Sequence, residues 1–171
     1  MIQQLKNQKL VSIGRSCNLL WMNFGTEIFI KNRDGDQTKA GEYVLDFQCP
    51  WRIKELRTQK IKVASGDMYQ PCSTIEWSET FEWDIQGNNA CDEKLKKLFL
   101  KDEEIYVQDI YLKENGDLKI IFSNDLIFLC FVDDSIGREC WRFFRRSGGA
   151  HFVVSGIEMG LDEEDEDEDE E

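Results

Sequence analysis

The sequence predicts a mainly β (α+β) protein, an antiparallel β-sandwich or partly closed barrel with one or two short helices. Three observations carry this. Residues 42–53, EYVLDFQCPWRI, alternate: Tyr43, Leu45, Phe47, Cys49, Trp51 and Ile53 are apolar, while Asp46, Gln48 and Arg52 fall between them. Successive strand side chains point to opposite faces, so this pattern sets an aromatic-rich face inward and a mostly polar face outward. From residue 105 onward, β-rich runs follow one another with short polar breaks, the signature of an antiparallel meander. A 171-residue chain with five Trp and eleven Phe has ample bulk for one core.

The elements follow in order. Ile2 and Leu5 fit a short opening helix. Two apolar segments, residues 10–13 and 19–24, read as strands, broken at Gly14 and ended at Gly25. Residues 27–30 read as a further short strand, and residues 32–41 as a polar loop leading into the alternating strand. Residues 60–64 read as a strand stopped by Ser65-Gly66-Asp67, after which residues 68–91 show no clear period. A helix is expected from Asp92, which can cap it, with Leu95, Leu98 and Phe99 on one face. Residues 105–112, 118–123 and 126–132 then read as strands. Asn115-Gly116 predicts a type I′ hairpin, whose two central residues both need positive φ. Residues 140–146 and 150–155 form the expected final pair, around Ser147-Gly148-Gly149.

The formal charge of −13 belongs mostly to one end. Residues 162–171 are all acidic, and without them 24 acidic residues face 21 basic ones, a net of −3. Such a run cannot bury apolar surface and repels itself. The expected division is therefore a single β-rich domain over residues 1–160 and a disordered acidic tail over residues 161–171. The start of the chain has no apolar leader-like run, and no stretch approaches the roughly 18 apolar residues of a membrane span. The six cysteines have no metal-finger spacing. The expectation is a cytoplasmic protein with reduced thiols, no cofactor, no metal and no membrane contact.

Catalytic signatures are absent. The only histidine is His151, and neither a Gly-Xaa-Ser-Xaa-Gly elbow nor a phosphate-cradling loop occurs. Residues 32–36 carry acidic groups but lack the terminal Glu of a calcium loop. Residues 138–146 interleave arginines with aromatics, a mixture that can stack on bases, yet the nearly neutral body lacks a basic footprint, so nucleic acid is not the expected partner. Polar residues carried on strands make a rigid recognition platform. The candidate binding residues are Gln48, Arg52, Asp67, Trp141 and Arg142, with no catalytic residue assigned.

Residues 43–53, YVLDFQCPWRI, followed by Gly66-Asp67-Met68-Tyr69 and a late Trp141-Arg142-Phe143-Phe144, resemble a family of small bacterial proteins of uncharacterised activity. That family's pattern runs Leu-His-Xaa-Gln-Cys-Xaa-Trp-Arg-Ile, then Asp, then a late Trp-Arg. The upstream Leu20-Trp21-Met22-Asn23-Phe24-Gly25 belongs to the same pattern, so the resemblance spans residues 10–146. It implies a bacterial, cytosolic protein. Asp46 stands where the family carries His, which removes a histidine base or metal ligand from that position.

The function expected from this profile is non-enzymatic protein binding of the inhibitor or immunity type, directed at a basic partner through the acidic tail. The alternative is a small enzyme or ligand-binding domain using Gln48, Arg52 and Asp67.

Overall fold

In a computed structural model, which describes residues 1–31, 35–99 and 103–162, the chain folds as two antiparallel sheets packed face to face. The strands are β1 (Leu10–Ser16), β2 (Leu19–Lys31), β3 (Gln37–Phe47), β4 (Trp51–Glu55), β5 (Ile61–Ala64), β6 (Val107–Leu112), β7 (Leu118–Phe122), β8 (Leu126–Cys130), β9 (Glu139–Arg145), β10 (His151–Ser155) and β11 (Met159–Asp162). One sheet runs β1-β2-β3-β9-β10-β11 and the other β5-β4-β8-β7-β6. Neither sheet closes on itself, so the sandwich alternative is the one realised and the barrel is not. Among the described residues, short 3-10 turns lie at Ile2–Leu5 and Ser65–Tyr69, and one helix, α1, spans Ala90–Phe99.

The alternating stretch 42–53 is two strands, one in each sheet. The chain turns a corner at Gln48-Cys49-Pro50, where the Gln48 and Cys49 N–H groups both donate to the Cys140 carbonyl, at 2.8 and 3.2 Å. Pro50 has no N–H to continue a ladder. Parity survives the corner because both strands present the same side to the core. Leu45, Phe47, Cys49, Trp51 and Ile53 are all buried. Phe47 meets Phe128 of the facing sheet with ring centroids 4.6 Å apart, and Trp51 meets the same ring at 6.1 Å.

Four further expectations change. Gly14 does not break β1, and Gly25 does not end β2. The β2–β3 ladder instead shifts register between Phe24 and Glu27, with Gly25 at φ +88°. Gly41 must be glycine there, since a Cβ would sit 2.5 Å from the Phe24 backbone nitrogen. The helix begins at Ala90, two residues earlier than expected, because the Asn89 side chain accepts the Asp92 N–H at 2.9 Å and caps it. At the β6–β7 hairpin only Gly116 has positive φ (+85°), and Lys113 exchanges backbone bonds with Gly116 and Asp117. That is a three-residue loop with a left-handed glycine, not a type I′ turn. Finally, β11 takes in Leu161 and Asp162, which were assigned to the tail; residues 163–171 lie outside the described residues.

The irregular stretch before α1 is held by charge. Arg15, on β1, points to the inner side and forms a two-bond pair with Asp92, Nε–Oδ1 and Nη2–Oδ2 both at 2.7 Å. Its three remaining protons are shared among the carbonyls of Cys17, Trp83, Asp84 and Ile85. A guanidinium this buried is tolerated only because every donor is spent.

Candidate functional site

Two rows of side chains cross the outer face of the six-stranded sheet. Register sets the first as Gly14, Trp21, Asp46, Arg142 and Val153, and the second as Asn23, Val44 and Phe144, with Ser12 beside Asn23. An outer sheet face in a two-layer protein is ordinarily flat and polar. Here it is concave, enclosing about 490 Å³ between Trp21, Asn23, Val44, Asp46, Phe144 and Arg146.

Local sequence explains the shape. Gly14 has no side chain, so the indole of Trp21 settles over it; a Cβ there would come within 2.9 Å of Cη2. Asn23 interrupts an apolar run, faces outward on β2 and is nonetheless buried. Its amide nitrogen donates to Ser12 Oγ at 3.0 Å, and its oxygen accepts from Arg146 Nη2 at 2.9 Å. Phe144 stacks on His151 with centroids 4.5 Å apart. Arg142 donates from Nε to Glu139 Oε1 at 2.7 Å, bonds the second Glu139 oxygen through Nη2, and lies 3.2 Å from His151 Nδ1 through Nη1.

Asp46 sits on the groove floor. Both neighbouring guanidiniums bond elsewhere, and among the described residues no donor reaches its carboxylate. Burial pushes its pKa up, opposed by the positive charges of Arg142 and Arg146. The groove therefore holds a half-buried anion whose acceptor capacity is unspent, between two aromatic walls. Burial also lowers the Arg146 pKa, against the pull of Asp46.

The five sequence-derived candidates lie in different surroundings. Gln48 is exposed at the corner, on the rim of a second cavity of about 430 Å³ bordered by Asn18, Asp133, Asp134 and Arg138. Arg52 is on the outer face of the five-stranded sheet, its guanidinium 4.8 Å from the centre of the Phe131 ring. Asp67 accepts the Ala64 N–H at 3.0 Å and pairs with Lys94 at 2.9 Å, tying the second 3-10 turn to α1. Trp141 is fully buried and donates from Nε1 to the Gly116 carbonyl at 2.9 Å. Arg142 alone of the five flanks the groove. In the second cavity, Arg138 and the N–H groups of Ile136, Gly137 and Arg138 hold Asp134 down at a pKa of about 2, which makes it the cap of its own loop.

Sequence reasoning missed Trp21, Asn23 and Arg146 as site residues. One signal was present: Asn23 is the sole polar residue within LLWMNF. No protein-family model, curated protein or solved structure matches this chain.

Proposed function

We propose that the protein is a non-enzymatic binding module that seats a basic side chain of a partner protein on Asp46. The observation that carries this is the Asp46 carboxylate itself, half-buried on a groove floor with no donor bonded to it among the described residues. Keeping a carboxylate charged there costs desolvation, and a guanidinium or ammonium from a partner offsets that cost with charge-assisted hydrogen bonds. Trp21 and Phe144 supply apolar walls for the aliphatic stem of such a side chain and a ring face for its cation. The formal charge of −13 adds long-range attraction for a basic partner, steering encounter more than final affinity.

This reading keeps the basic partner expected from the sequence and places the specific contact on the sheet. The acidic run then serves association rate. The test is an NMR titration of the ¹⁵N-labelled full chain with acetyl-arginine-amide. Shifts at the Trp21 indole N–H, the Asn23 side-chain amide and the Asp46 backbone amide, absent in Asp46→Asn, support the reading. Equal shifts in both proteins contradict it.

A further inference from the structure

Sheet edges are where unpaired backbone groups invite another strand, and proteins normally cover them. Here α1 lies against β1 and β5. Along β6, the opening 3-10 turn and the segment after it take the edge: Asn7 and Gln8 exchange backbone bonds with Val107, and Gln3 Nε2 donates to the Ile110 carbonyl at 3.1 Å. The outer edge of β11 has no strand beside it among the described residues.

The hairpin pattern fixes which groups face out. The Ser155 N–H donates to the Glu158 carbonyl at 2.9 Å, closing a two-residue turn at Gly156-Ile157. Inward and outward backbone groups alternate along an antiparallel strand. Glu158, Gly160 and Asp162 are therefore turned to β10, and the N–H and C=O groups of Met159 and Leu161 are turned to the open edge. The adjoining side chains are apolar and unusually exposed: Leu161 is 57% exposed, Ile157 65% and Ile136 80%. Ile157, in the turn, packs onto Gly137 in the loop that carries Ile136, and Leu161 lies further along the strand opposite Phe152.

We propose that β11 is a strand-addition edge for an extended partner segment that alternates apolar and basic residues. Main-chain bonds to Met159 and Leu161 supply the pairing, and alternate apolar side chains cover the exposed leucine and isoleucines. Charge selects the sign of the partner: Asp162 ends the strand and residues 163–171 are all acidic. A second copy carries the same acidic run, so like charge opposes association of two copies. The inference rests on the basic-partner reading above but uses a different surface.

The probe is acetyl-(Lys-Val)₃-amide added to the ¹⁵N-labelled full chain, with amide hydrogen exchange as readout. Binding at β11 slows exchange at Met159 and Leu161 by about tenfold or more. The acidic counterpart acetyl-(Glu-Val)₃-amide gives no slowing. Leu161→Pro, which deletes an outward N–H on an edge that tolerates proline, removes the effect at Met159. Asp46→Asn leaves it intact, so loss of the groove reading and loss of this one are separable. Protection at another edge, equal protection by the acidic peptide, or self-association through β11 without peptide would each overturn the proposal.

Discussion

Trp21 covers Gly14 across the β1–β2 ladder, and that contact gives the outer face of the sheet its groove. The two residues are register partners on adjacent strands. Glycine is weak in strand interiors, so its presence at this position reflects the ring that needs the space.

Gly14→Ala drives a methyl group into the indole. Backbone strain is not at issue there, and alanine would otherwise favour order. The expected net effect is a loss of about 1–3 kcal/mol, the usual cost of overpacking. Urea denaturation measures the loss. A change in Trp21 fluorescence accompanies it, and a stabilised variant would show that the ring moves aside freely.

Asp92→Ala leaves the Arg15 guanidinium buried without its carboxylate. Breaking one side of such a pair costs about 3–5 kcal/mol. The side chains are 2% and 12% exposed, which puts the pair in that regime. The denaturation midpoint falls, and hydrogen exchange quickens at Asp92 and Gly87, whose N–H groups bond to Asn89 and to Asp92. A small shift confined to Gly87 would mean that only the local bond to its N–H was lost.

Trp141→Phe preserves the ring stack in the core but leaves the Gly116 carbonyl without its donor. The expected cost is about 1–3 kcal/mol, the penalty of an unsatisfied buried group. Calorimetry of the two proteins checks it.

Asp46→Asn tests the charge on the groove floor. The folded state raises the Asp46 pKa, so the native protein binds this proton more readily than the unfolded chain does. Its contribution to stability is fully present below the ordinary carboxylate pKa and is lost as pH rises through the raised one. At neutral pH the charged carboxylate therefore destabilises the fold, and Asp46→Asn is expected to be more stable than wild type. The difference shrinks as pH falls toward the carboxylate range. An equal or lower stability at neutral pH would mean that Arg142 and Arg146 outweigh burial.

Much of the fold was legible because burial sets parity locally. Tyr43 to Ile53 read correctly as core-facing on odd positions even though two strands share the pattern, since the corner at Cys49 keeps the same side inward. The corner itself was hidden: its cause is a carbonyl of Cys140, far along the chain. The groove was hidden for the same reason. Asp46 faces Arg142 only through β3–β9 pairing, and no local pattern specifies that register. Asp92 could be read as a cap, its commonest use, whereas its partner Arg15 lies on a strand with no local link to it. β11 was missed because four exposed residues ending in an acidic run carry no alternation worth reading.

The most direct measurement follows the Asp46 carboxyl carbon by ¹³C NMR through a pH titration, with and without acetyl-arginine-amide. A cation seated on the carboxylate favours its charged form. The expected midpoint is raised in the free protein and drops toward the ordinary carboxylate range when the probe is present. A midpoint unmoved by the probe, while other residues respond to it, would contradict the assignment of Asp46 as the seat of the partner's basic side chain.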